Sequence, residues 1–147
     1  MIYYLISTIL FVAIVYFLVS LILHAGLSSK ILKIKTKPTV SILIAARNEE
    51  MLLPKCLESL TKIDYPLEKL KIYIINDSSK DATEEIAKEY TNRYKHFQLI
   101  NISNKLPGLD GKMNALCQGI DHTDGEIILI TDADCIVPPN WVSDMVS

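Results

Sequence analysis

Apolar and polar positions fall along this chain in blocks, and the first block is the longest. Ile2 to Leu23 holds no charged residue over 22 positions. At helical rise that run spans roughly 33 Å, against a bilayer core of about 30 Å, so the pattern predicts a transmembrane signal anchor over residues 1–24. Tyr3, Tyr4 and His24 stand where interfacial residues belong. A cleaved signal peptide would be shorter and would begin with a basic segment, and this run does neither. Lys30, Lys33, Lys35 and Lys37 follow at once, so residues 25–37 read as a basic juxtamembrane linker.

From residue 38 onward the blocks become short and alternate in period. Thr39 to Ala46 is apolar on both faces, as a central parallel strand requires. Asn48 is expected to cap a helix with Leu52, Leu53, Cys56, Leu57 and Leu60 on one stripe, Pro54 being tolerable only near its start. Lys71 to Asn76 predicts a second strand. Asp81 and Glu84 then stand at capping-box spacing before a helix expected to bury Ala82, Ile86, Tyr90 and Tyr94. Phe97 to Ile102 predicts a third strand. A helix from Gly111 is expected to bury Met113, Leu116, Cys117 and Ile120, and Glu126 to Thr131 predicts a fourth strand. Repeated strand–helix alternation means an α/β domain over residues 38–147, an open, mostly parallel sheet with helices on both faces. Ligands in such sheets bind beyond the carboxyl ends of the strands, and every polar cluster of this chain falls there.

Charge and cysteine content narrow the classes. The chain of 147 residues carries 15 Lys and Arg against 17 Asp and Glu, and all the acids lie after residue 37. The domain is therefore at −6 and the tether at +4, a division that suits an anionic membrane surface and does not suggest nucleic-acid binding. Cys56, Cys117 and Cys135 form no C-x-x-C, so neither a disulfide framework nor a zinc site is indicated. Cys56 and Cys117 read as small core residues. His24, His96 and His122 share no spacing that suggests a metal or a triad.

The clusters after the strands carry the chemistry. Asp132-Ala133-Asp134 ends the fourth apolar run, and side chains at i and i+2 of an extended chain lie on one side. Two such acids can hold a hard divalent cation on a diphosphate and reach a sugar hydroxyl; an acidic turn before a helix is the plainer alternative. Arg47-Asn48-Glu49-Glu50 sits at a helix start, suited to an anion, to a polar base edge, or simply to capping. Asp77-Ser78-Ser79 can accept from a base N–H or make a turn. Lys112, in Gly108-Leu109-Asp110-Gly111-Lys112, can reach a phosphate or remain solvated. No G-x-G-x-x-G follows the first strand and no P-loop is present, which removes the main support for dinucleotide and P-loop readings.

Together these clusters resemble the family 2 glycosyltransferases, whose nucleotide-sugar half has the Rossmann-like GT-A fold. Val40 to Glu50 looks like the opening strand and the loop bordering the uridine. Ile75-Asn76-Asp77-Ser78-Ser79-Lys80-Asp81 looks like the second loop, with Asn76 where an Asp is more usual. Gly111-Lys112-Met113-Asn114-Ala115-Leu116 is similar to the family's G-K-x-x-A-L, Thr131 to Asp134 to its D-x-D, and Pro139-Asn140-Trp141 to what often follows. The resemblance spans residues 38–147. It implies a nucleotide-sugar site built from Ala45, Arg47, Asn48, Glu49, Asp77, Gly111, Lys112 and Asp132, with Asp77 on the uracil and Asp134 as ligand to Mg²⁺ or Mn²⁺.

The implied reaction moves a sugar, with inversion, from a UDP-sugar donor to a polysaccharide or lipid acceptor. The positive-inside rule puts the amino terminus outside and the domain in the cytoplasm, a single-pass protein of the inner membrane. The family's acceptor-side half, with its catalytic base and Q-x-x-R-W, is expected downstream of Ser147, since Asp144 is the only acid after Asp134. On this reading the chain is a truncation or fragment with the acceptor-side half missing. A non-catalytic membrane-bound binding half is the alternative. A nucleotidyltransferase is a further one, weakened because Ala45-Ala46-Arg47-Asn48 has no glycine for a triphosphate loop.

Overall fold

The computed structural model describes residues 1–27 and 37–147, with only the backbone of residues 24–27. The predicted linker over 25–37, with Lys30, Lys33 and Lys35, therefore lies largely outside the described residues. Two units are present. The first is a helix, α1 (Ile2–Leu27). Its segment Ile2–Leu23 is long and apolar enough to cross a membrane.

The second unit is a four-stranded sheet of β1 (Val40–Ala46), β2 (Leu70–Asp77), β3 (Phe97–Ile102) and β4 (Ile127–Asp132). Their order is β3-β2-β1-β4 and every pairing is parallel. Alternation sorts the strand residues between two cores, as the pleat demands. Val40, Ile42, Ile44, Leu70, Ile72, Ile74 and Leu129 face α2 (Leu53–Leu60), α3 (Thr83–Arg93) and the short α5 (Trp141–Met145). Leu43, Tyr73 and Ile75 face α4 (Gly111–Ile120) through Ala115 and Leu116.

The strands lie within a residue of their predicted bounds, but three helix details differ. Asn48 does not cap α2; Leu52 holds that position without a side-chain bond, and Asn48 is left-handed at φ 56°. Asp81 and Glu84 make no capping box. Asp81 Oδ1 accepts from Thr83 N and Oγ1, while Glu84 turns to Lys88 and Asn101. Ala82 is exposed, whereas Ile86, Tyr90 and Tyr94 pack on the core as expected, beside the fully buried Thr83 and Ala87. In α4 the inner residues are Asn114, Ala115, Leu116 and Gly119. Gly119 sits so close to the sheet that an added Cβ would lie 2.2 Å from Ile75 Cδ1. Small residues allow that approach, and it turns the larger Met113 and Ile120 outward and leaves Cys117 half-buried.

Two devices fix the ends of the strands. At the amino ends, Thr39 and Glu126 clasp β1 to β4. Thr39 N and Oγ1 donate to Glu126 Oε1 at 3.0 and 3.1 Å, and Glu126 N donates to Thr39 Oγ1 at 3.0 Å. The Thr39 backbone and hydroxyl hold the Glu126 carboxyl below its ordinary range. Beside them Gly125 N donates to Ser41 Oγ at 3.0 Å, so closely that a Cβ on Gly125 would lie 2.6 Å from Ser41 N.

At the carboxyl ends, the loops after β1 and β2 bond to each other. Asn48 N donates to Ser79 Oγ at 3.1 Å, Glu49 N to Thr83 Oγ1 at 2.8 Å and Glu50 N to Asp81 Oδ2 at 3.1 Å. In return Lys80 N donates to Asn48 Oδ1 at 2.8 Å and Ala82 N to Glu50 Oε2 at 2.9 Å. Asp81 is partly desolvated here, yet hydrogen bonds from Thr83 and the Glu50 backbone hold its pKa below the ordinary value.

Two substitutions test these devices by denaturant unfolding of the full chain in detergent. Gly125→Ala must push the Ser41 backbone aside and is expected to cost about 1–3 kcal/mol; an unchanged midpoint would contradict the close approach. Thr83→Val keeps the shape but strands Glu49 N–H, an expected loss of about 1–3 kcal/mol that Thr83→Ser restores. Equal stability of the valine and serine variants would show that the hydroxyl is idle.

Candidate functional site

The chain leaves β1 for α2 on one face and enters β4 from α4 on the other. A parallel sheet opens a crevice where its connections part in this way. The crevice is a cleft of about 240 Å³ at the carboxyl ends of β1, β2 and β4. Ala45, Arg47, Glu49, Asp77, Gly111, Lys112, Asp132 and Asp134 line it together with Ala46, Ala115 and Ala133. Every residue the sequence nominated is there except Asn48, whose side chain is turned onto Lys80 N.

Each acid is placed by its element. Asp132 pairs in register with Ala45, so it shares the α4 side of the sheet. The amino terminus of α4 delivers Lys112 to that side, and its Nζ contacts Asp132 Oδ1. Gly111 makes the turn into α4 at φ 53°, a left-handed conformation that glycine adopts at no steric cost. The buried Asn114 fastens the preceding loop by accepting from Leu106 N at 2.9 Å and donating to Asn104 O at 3.2 Å. Asp77, at the end of β2, has only 15% of its side chain exposed and meets Arg47 Nη1 at 3.3 Å.

Asp134 arrives differently from the expectation. β4 ends at Asp132, and a turn closed by Cys135 N onto Asp132 O at 3.2 Å brings Asp134 alongside. The same carbonyl accepts the Cys56 thiol at 3.4 Å. Burial, with Cys135, Asp134 and Asp132 nearby, pushes that thiol up to about 12, so it remains a donor. Asp132, Asp134 and Cys135 offer ligand atoms that all lie within 4.8 Å of one another. Two carboxylates converging at an exposed strand end fit a hard divalent cation, and the thiol is a softer third group that the sequence reading passed over.

A second missed feature supports the floor of the Asp77 loop. Buried Asn76 Nδ2 donates to Asn101 Oδ1 at 2.9 Å and its Oδ1 accepts from Ser79 N at 3.2 Å. Asn101 Nδ2 donates in turn to Glu84 Oε1 at 3.1 Å, and Glu84 pairs with Lys88. The Lys88 ammonium and Asn101 hold the Glu84 carboxyl below its ordinary pKa. This relay runs in one direction, so an amide at position 76 is satisfied where a carboxylate would face an acceptor.

Comparison with known proteins bears on the family and the fold. The Glycosyl transferase family 2 pattern matches residues 41–147. The probable glycosyltransferase YdaM of Bacillus subtilis is 34% identical over 100 residues, covering 68% of this chain and 24% of that protein. The beta-monoglucosyldiacylglycerol synthase of Trichormus variabilis is 38% identical over 109 residues, covering 74% of this chain and 23% of its own. The chain thus spans about a quarter of the length of these curated relatives. Among solved structures, the mannosyltransferase PcManGT of Pyrobaculum calidifontis, in complex with GDP-Man and Mn²⁺, superposes with a TM-score of 0.69 at 26% identity, covering 76% of this chain and 32% of that one. With the match running through β1, the cleft and α5, the fold is GT-A-like and the chain belongs to glycosyl transferase family 2.

Proposed function

We propose that residues 38–147 form the donor side of a membrane-attached, inverting glycosyltransferase that takes a UDP-sugar. The observation that carries this reading is the single cleft joining Asp77, Lys112, Asp132 and Asp134. Asp77, little exposed and fixed by the Asn76 relay, is placed to accept from the uracil N–H. Gly111 and Lys112 open α4 toward the cleft, where the helix dipole and the ammonium favour a diphosphate. Asp134 holds the cation and Asp132 reaches the ribose or sugar hydroxyls. Bound Mg²⁺ or Mn²⁺ would supply charge neutralisation of the departing diphosphate. PcManGT holds a guanosine donor with Mn²⁺, and GDP is therefore the competitor to compare with UDP.

The acceptor we propose is a lipid or a polysaccharide at the membrane. Support comes from the apolar helix ahead of the domain and from a relative named for glycosylating diacylglycerol. Removal of the acceptor's proton by a placed base contributes roughly 10² to 10⁴ in rate. Asp144 lies outside the cleft and is held by Asn140, so no residue of this chain is assigned that part. We place the amino terminus outside and the domain in the cytoplasm, because the cations flanking Ile2–Leu23 lie on its carboxyl side alone.

Two experiments decide these points. In calorimetry, Asp134→Ala is expected to weaken Mn²⁺-dependent UDP binding by about 100-fold, equivalent to about 2.8 kcal/mol, with an unchanged circular dichroism spectrum. Equal affinity of variant and parent would remove Asp134 from the metal site. A reporter fused after Ser147 is expected to be active only inside the cell; activity outside alone would reverse the topology.

A further inference from the structure

The cleft is lined by four carboxylates, Glu49, Asp77, Asp132 and Asp134, and two cations, Arg47 and Lys112. Both cations are already engaged, Arg47 with Asp77 and Lys112 with Asp132. Among the described residues Asp134 has no cationic partner. Its carboxylate nevertheless has a ligand atom within 4.8 Å of one on Asp132, the acid that Lys112 holds. The Lys112 ammonium therefore stands beside the position of a divalent cation and on the same acid. Neither partner is rigidly confined, since half of each side chain is exposed.

We infer that Lys112 is a placeholder charge that makes metal and nucleotide binding depend on each other. This rests on the donor-site reading and adds a role that the reading does not contain. In the empty cleft Lys112 neutralises Asp132 and repels a second cation. Arrival of a diphosphate gives the ammonium a stronger partner, and Lys112 swings from Asp132 to the phosphate oxygens. Asp132 is then left without a counter-charge beside Asp134, and the site gains affinity for the cation. Because binding free energies are reciprocal, the cation must favour the nucleotide by the same factor that the nucleotide favours the cation. A lysine that only bound phosphate, or only steadied α4, would leave the affinity for metal alone untouched.

The test uses the full chain in detergent, with Mn²⁺ and UDP as probes. Bound Mn²⁺ is read from the loss of the free-ion electron paramagnetic resonance signal, and UDP binding from calorimetry. Lys112→Met is expected to tighten Mn²⁺ binding in the absence of nucleotide by about tenfold, as removal of one charge from a half-exposed site implies. The same variant should weaken UDP in the presence of Mn²⁺ and shrink the factor by which UDP improves Mn²⁺ binding. Lys112→Arg, which keeps the charge, should retain the weak metal-only affinity of the parent. Unchanged or weaker metal-only binding by Lys112→Met overturns the placeholder role, as does a Lys112→Arg that behaves like Lys112→Met. In either case intact Mn²⁺-dependent UDP binding by the parent chain leaves the donor-site reading standing. No Mn²⁺-dependent nucleotide binding by the parent overturns both.

Discussion

The site depends above all on the register of β4 against β1. Side chains alternate with a period of two, so a slip of one residue would turn Asp132 away from α4 and into the core shared by α2 and α5. Lys112 would lose its acid, and an ionised carboxylate would be driven among apolar groups at a cost of several kcal/mol. The clasp of Thr39 and Glu126, with Gly125 pressed against Ser41, sets that register six residues before Asp132. The chemistry at one end of the strand is thus aimed by hydrogen bonds at the other.

The second support is mutual. The backbone of Asn48, Glu49 and Glu50 donates to side chains from the loop after β2, and that loop donates back to Asn48 and Glu50. Each bond is modest where water competes, at roughly 0.5–1.5 kcal/mol. As a set they prevent either loop from moving alone, which holds Arg47 and Asp77 across the cleft from Lys112 and Asp132.

Much of this was legible in the sequence, for identifiable reasons. Strands apolar on both faces announce a parallel sheet, and the polar clusters that follow them can only collect at its carboxyl edge. Long-range polar pairing was not legible. Asn48 has the residue type of a cap and lies just before an apolar stripe, but its partners are 31 and 32 residues away. The Asp81–Glu84 spacing fits a capping box, yet Glu84 is taken up by Lys88 and Asn101. In α4 the 3.6-residue pattern chose Met113 and Ile120 because they are large. Packing chose Gly119 because it is small, a preference that periodicity does not register. Asp134 was expected from the pleat and is delivered by a turn.

The one-way relay from Ser79 N through Asn76 and Asn101 to Glu84, where Lys88 donates from the other side, also bears on which side chains position 76 accepts. Position 76 carries an amide whose orientation is dictated by Asn101 on another strand and, through it, by Glu84 on a helix. A carboxylate at 76 would force Asn101 to rotate its amide, and its oxygen would then face Glu84. An acid at position 76 is therefore compatible only with changed partners at 84 and 101, so these three side chains act as one polar unit.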